Sequence, residues 1–272
     1  MVTGEELVRR AAERVEWREV VAGRPDGPEW LLLDRLDALP AGDWFADLMA
    51  GTAKGQRDVA GAYLASYLVE TVIGATSAAL VHDAATWPVR PDTFRVRRHE
   101  EGWFDGLAID AVEVWSVDGQ RFATEDVLFA AVAAGIVATI APWFDVARRL
   151  APYGRFGMWG TLADAVGSAA LEPVRLDRQA ADRAWERAQR LLDAIAAVAP
   201  ALRVRPGRRT IGWSGGEACV STQGTCCLYY KVHDPADGGE QYCLGCPLRP
   251  AGESDPLYAA WLDREYGPAA AG

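Results

Sequence analysis

The chain has 272 residues, 50% of them hydrophobic and 24% charged, with a formal net charge of −10. That is ordinary globular composition, long enough to bury a sizeable core. The acidic balance, with Lys54 and Lys231 the only lysines, and the lack of a basic stripe with interleaved aromatics exclude nucleic acid as a partner.

The opening residues, MVTGEELVRR, lack the apolar run and small-residue cleavage site of a secretory signal and read as a capped helix. Thr3 caps it, Glu6 follows as in a capping box, and the helix is expected to run to about Trp17. Pro25, Gly27 and Pro28 break the chain before Trp30 to Leu33, a short apolar run that reads as a strand. Asp43 to Met49 reads as two amphipathic helical turns, and residues 58–82 as a long, mostly buried helix that ends ahead of Pro88 and Pro91. Between Thr93 and Val117, Phe94, Val96, Ala111, Val112, Val114 and Trp115 predict two or three antiparallel strands, with turns at Asp105-Gly106 and Asp118-Gly119.

Thr124, followed by Glu125 and Asp126, opens the next helix with a cap and an acidic first turn. Pro152 and Gly154 separate it from a helix near residues 158–171. Asp177 caps an amphipathic helix to Val198, with Ala181, Trp185, Ala188, Leu191, Leu192 and Ile195 on one face and Pro200 as the stop. Asp255-Pro256 starts a last short helix carrying Leu257, Tyr258, Trp261 and Leu262, and the tail after Tyr266 is expected to fray. The pattern predicts an α+β fold: a helix-rich body with a small antiparallel sheet over residues 1–200, then a small cysteine module over 201–272. Two stretches are long enough to span a bilayer: Val127 to Phe144, 18 residues without a charge, and Val59 to Val81, interrupted only by Glu70. Both are rich in Ala, Gly and Thr, and Pro142 lies inside the first, so buried core helices are expected and no membrane span.

All five cysteines lie between positions 219 and 246. Clustered thiols without a secretory leader indicate a cytoplasmic, metal-binding chain rather than a disulfide scaffold. Cys226 and Cys227 are adjacent, fifteen residues follow, and Cys243 and Cys246 form a C-x2-C pair with Gly245 in its turn. Four thiolates on short loops suit a [2Fe-2S] cluster, two at each iron. A zinc site prefers ligands two to four residues apart, whereas neighbours in extended backbone point to opposite sides, which suits a larger cluster. Iron–sulfur binding is thus favoured, with a zinc staple and redox or inert thiols as the alternatives.

The string Cys226-Cys227-Leu228-Tyr229-Tyr230 with Cys243-Leu244-Gly245-Cys246-Pro247-Leu248 resembles the C-terminal signature of the FhuF-type ferric siderophore reductases, C-C-x10-C-x2-C. Upstream, Met158-Trp159-Gly160-Thr161-Leu162-Ala163-Asp164-Ala165 is similar to the W-G-x-x-A-[DE] helix start of such proteins, and the layout of body and C-terminal cysteines is similar too. The likeness covers about 25 residues closely and the preceding hundred weakly. The spacer here is five residues longer, and the surplus falls in the loop from His233 to Glu240.

The resemblance implies a [2Fe-2S] cluster on Cys226, Cys227, Cys243 and Cys246 and one-electron reduction of iron(III) in a siderophore, of hydroxamate type. The electron donor would be a separate ferredoxin or a flavin or NAD(P)H reductase, because no glycine pattern here makes a dinucleotide fingerprint; Ile211-Gly212-Trp213-Ser214-Gly215-Gly216 lacks the spacing. The alternatives are an iron–sulfur electron carrier with another acceptor and a zinc-stapled, non-enzymatic binding protein. Arg208, Arg209 and Lys231 are the basic residues nearest the thiols in sequence, and Tyr229, Tyr230 and Tyr242 are read as mostly core of the small module. Cys219 is the leftover, buried thiol; His233 reads as a loop residue, His82 and His99 carry no role, and Trp159 and Asp164 have helix-start explanations.

Overall fold

The computed structural model describes residues 2–15, 18–34, 39–110, 113–119, 121–233 and 242–267. It is an α+β fold, 55% helical with 15% strand. The first helix, α1 (Gly4–Ala12), starts as the capping signal says, with Thr3 Oγ1 accepting from the Glu6 N–H at 3.2 Å. The Glu6 carboxylate, however, turns forward to Arg9 and Arg10 instead of back to the cap. The helix stops at Ala12, well short of Trp17, which lies outside the described residues.

A four-stranded sheet has the order β1 (Glu19–Ala22), β5 (Phe104–Ile109), β4 (Phe94–Arg98), β2 (Trp30–Leu32). β1 runs parallel to β5 and the other pairs are antiparallel, so the sheet is mixed. Asp105-Gly106 is not a turn but lies inside β5, where the Trp30 ring covers Gly106 so closely that a Cβ would sit 2.8 Å from it. The chain reverses instead between Arg98 and Phe104, where His99 stacks on Trp103. Trp115–Ser116 (β6) pairs with Ala85–Thr86 (β3) in a separate two-stranded ladder, while Ala111 and Val112 lie outside the described residues.

Helix α3 (Arg57–Asp83) runs through the middle of the molecule and is buried on nearly every side. It packs on α2 (Ala41–Ala50), α4 (Glu125–Leu150), α5 (Arg155–Leu171) and α6 (Arg178–Val198). The caps of α4 and α6 are as read: Thr124 Oγ1 accepts from Val127 N–H and Asp177 Oδ1 from Ala180 N–H. By length and composition α3 and α4 are each apolar enough to cross a membrane; 83% of the apolar window of α3 is covered by protein, and half that of α4.

Two strands unmarked by clear alternation follow, β7 (Gly207–Trp213) and β8 (Gly216–Thr222), a hairpin closed by Ser214-Gly215. The glycine-rich string is therefore a turn. β8 lies on α5, and Ile211, Ala218 and Val220 join Tyr258 and Leu262 of α7 (Ala251–Tyr266) in a second small apolar cluster. α7 begins at Ala251, ahead of Asp255-Pro256, and carries Pro256 within its second turn.

Two glycines in long helices test the packing. A Cβ on Gly74 of α3 meets nothing within 4 Å, whereas one on Gly135 of α4 would lie 2.4 Å from the Val89 carbonyl oxygen. Gly74→Ala should raise stability by about 0.5–1 kcal/mol through helix propensity. Gly135→Ala gains the same propensity but forces backbone apart, at about 1–3 kcal/mol, and should come out destabilised. Urea denaturation midpoints of the two variants, expected to move in opposite directions, check this.

Candidate metal centre

The site is built where the hairpin runs out against α5. Gly167 lets β8 approach that helix, for a Cβ there would meet Pro206 and Ser221 at 2.7 and 2.8 Å. One turn back, Asp164 accepts hydrogen bonds from the Gly224 N–H at 2.7 Å and the Thr225 N–H at 3.0 Å. One turn further back, Gly160 faces Thr225 so closely that a Cβ would lie 1.7 Å from its hydroxyl oxygen. The Tyr153 hydroxyl reaches the Cys226 carbonyl at 3.4 Å. The Trp159-Gly160 … Asp164 string thus seats the loop that delivers Cys226 and Cys227. Trp159 itself is buried edge-on against Phe144 and acts in packing.

After the paired cysteines the backbone turns sharply. Leu228 adopts left-handed φ of 64°, which a branched residue rarely does, and its N–H points at Cys226 Sγ at 3.4 Å. The second pair arrives by another route. Gln223 N–H donates to the Gly245 carbonyl at 3.0 Å, and Cys246 N–H closes a turn onto the Cys243 carbonyl at 3.1 Å. Tyr258 of α7 lies over Gly245 and donates to the Ser221 carbonyl at 3.1 Å. Gln223 also accepts from the Cys243 thiol at 3.3 Å, so one residue registers both halves.

The four thiols meet. Cys227 contacts Cys243, Cys243 contacts Cys246, and Cys246 contacts Cys226. The hydrogen bond from Cys243 draws the Cys227 thiol down to about 7, while that same bond and burial push Cys243 up. Burial raises Cys226, only partly offset by the Leu228 N–H. All four are free thiols. Among the described residues no three His, Cys, Asp or Glu side chains are grouped to hold one metal ion.

Several sequence candidates lie elsewhere. Cys219 is buried on β8, where its sulfur accepts from Arg208 at 3.2 Å, and it is not in the thiol set. Arg208 also pairs with Asp182, Arg209 with Asp255 and Lys231 with Asp58. His233 stacks on Tyr229 and bonds its hydroxyl at 3.0 Å, and His82 bonds the Ala169 carbonyl. The loop beyond His233, residues 234–241, lies outside the described residues. The three tyrosines are not core: Tyr229 is exposed, and Tyr230 and Tyr242 are half-exposed.

Sequence reasoning missed Gln223, Tyr153 and Arg249. Arg249 is 9% exposed, holds the Tyr242 carbonyl at 2.5 Å and shares a cavity wall with Cys227 and Cys243. It also missed Tyr63, Tyr67 and Glu70, which border that same cavity. Their spacing of four and three residues in an otherwise apolar helix is a polar stripe that marks them. No protein-family model matches the chain, and no curated protein sequence matches it.

Burial pushes the Asp164 carboxyl up to about 7 from 3.8, against the pull of its two backbone N–H donors. Between those values the folded chain holds a proton that the unfolded chain has lost, so this group's contribution to stability falls as pH rises through that window. Asp164→Asn removes the titration. The stability of the wild type relative to that variant should decline by on the order of 1–2 kcal/mol between about pH 5 and pH 7.5, read from chemical denaturation at each pH.

Proposed function

We propose that Cys226, Cys227, Cys243 and Cys246 hold a [2Fe-2S] cluster and that the protein passes single electrons from it to iron(III) in a hydroxamate siderophore, releasing iron(II) in the cytoplasm. The observation that carries the reading is the closed run of four thiols, two from each loop, in the contact order 227, 243, 246, 226. A two-iron core takes two thiolates at each end, and the adjacency of Cys226 and Cys227 suits it better than a single ion.

When bound, the cluster supplies a one-electron carrier. Hard oxygen ligands grip iron(III) far more firmly than iron(II), so one electron suffices for release. The chain's own residues set the conditions. The Leu228 N–H already donates toward Cys226 Sγ at 3.4 Å. The Gln223 side-chain amide touches Cys243 Sγ, and turned over it presents its N–H to the thiolate. Such donors stabilise the more negative, reduced state and raise the potential. The electron must come from a separate donor, such as a ferredoxin or a flavin or NAD(P)H reductase.

Anaerobically purified protein should be reddish, hold about two irons and two sulfides per chain, and give a rhombic S = 1/2 EPR signal on reduction. Cys243→Ser should lose or sharply destabilise that signal, and Cys219→Ser should keep it. A colourless protein that retains zinc would overturn the proposal.

Gln223→Leu, which removes the amide but keeps its bulk, should lower the midpoint potential with iron content unchanged. Spectroelectrochemical titration reads this directly; an unchanged potential would mean that the amide does not act on the sulfur.

A further inference from the structure

The four thiols have two unlike sides. Cys246 is buried, and the cavity reaching it, shared with Arg209 and Ser254, has a volume of only about 160 Å³. A second cavity reaches Cys243 from beside Cys219 and Tyr258 and holds about 340 Å³. On the remaining side Cys227 and Cys243 open together onto a cavity of about 800 Å³. Sites for drug-sized ligands run from roughly 300 to 1,000 Å³, so among the described cavities that touch the thiols only this one accommodates a whole iron chelate with room to spare.

Its walls suit such a guest. Tyr63, Tyr67 and Glu70 of α3 and Trp261 of α7 line it together with the two sulfurs. Tyr63 and Tyr67 stack at 5.5 Å, so each ring is held by the other on a buried helix. Trp261 is fixed by the Arg175 guanidinium, 4.7 Å above its ring. Glu70, Arg249 and Arg264 all line the cavity, and a bound four-thiolate [2Fe-2S] cluster would add two negative charges beside them, so it has no surplus of positive charge to offer an anionic guest. Three hydroxamates cancel the charge of iron(III), so their chelate carries no core charge to desolvate, whereas a tris-catecholate core bears three negative charges.

The geometry points to this cavity, lined by the tyrosine pair of α3 and Trp261 of α7, as the seat of an uncharged ferric trihydroxamate, with the electron leaving through the edge held by Cys227 and Cys243. The inference rests on the function proposed above and adds the place of the substrate and the exit of the electron. Electron exchange between metal centres falls off steeply with distance, so the acceptor must come against a ligand sulfur, and these two sulfurs are the ones a large guest can touch. One electron passes to the chelate, iron(III) becomes iron(II), its hydroxamate oxygens exchange for water, and the three freed hydroxamates each take up a proton from solvent; the lost electron is restored by the one-electron donor protein.

Ala260 lines the cavity from α7 with its side chain exposed, so it can be enlarged without disturbing the core. Isothermal titration of the cluster-loaded protein with gallium(III) desferrioxamine E, an uncharged cyclic trihydroxamate complex that has the shape of the iron complex but cannot be reduced, should show binding. Ala260→Trp should weaken it by roughly tenfold or more, with the EPR signal and midpoint potential unchanged. In stopped flow, reoxidation of the reduced variant by the ferric chelate should slow by a similar factor while reoxidation by ferricyanide keeps its rate. A variant that binds the gallium complex and reacts with the ferric chelate like wild type overturns the siting. Equal slowing with chelate and ferricyanide also overturns it, because the substitution would then act on the cluster. A wild type that carries the cluster yet neither binds nor is reoxidised by the chelate sinks the functional proposal itself.

Discussion

The site depends on one carboxylate. Asp164 takes two consecutive backbone N–H groups, those of Gly224 and Thr225, and so fixes the direction in which the chain leaves β8. A hydrogen bond to a charged acceptor is worth about 1.5–3 kcal/mol, and burying the carboxylate without such partners would cost more than that. The contest is visible in the group's own titration, which burial lifts to about 7 in spite of both donors. Gly160 completes the seat by leaving no Cβ where Thr225 must lie. With that loop placed, Cys226 and Cys227 follow, and Gln223 ties the opposing turn at Gly245 to the same anchor.

The wall opposite comes from the most buried helix. A helix apolar on nearly every side cannot be placed by amphipathicity, and α3 is instead held by neighbours all round. Its small residues allow close packing: a Cβ on Gly61 would lie 2.4 Å from that of Ala151. Rigid helices position side chains more precisely than loops, and the stripe of Tyr63, Tyr67 and Glu70 inherits that precision. The carboxyl of Glu70, raised by burial though paired with Arg18 at 3.3 Å, stands at the partition between this cavity and a smaller one lined by Asp164.

The thiol set is therefore clasped unevenly. On one side lie the turn at Gly245, the hairpin and Tyr258; on the other lies space. Such asymmetry suits redox work, in which the carrier must be shielded from water on most sides and approachable on one. Strain is present in the same place, for Leu228, like Lys54 and Ala84 elsewhere, holds a left-handed φ, and it does so directly after the paired cysteines.

Helix caps and breakers act locally, so the amino-acid sequence by itself determined the start of α1, the span of α6, the cap of α4 and the buried course of α3. Thiol spacing is local too, and it marked the two cysteine pairs that the fold brings together, apart from Cys219 on β8. What it could not determine was pairing at a distance. β1 finds a parallel partner in β5 across more than eighty residues, Asp105-Gly106 is drawn into a strand because Trp30 covers it, and α1 ends early although its pattern continues. Only the tertiary structure decided that Asp164 holds the cysteine loop, that Gln223 reaches a sulfur, and that a stripe on α3 faces Cys227 and Cys243. These contacts join residues 20 to 180 positions apart, and the energy that selects them comes from burial shared among many elements, which no short stretch of chain contains.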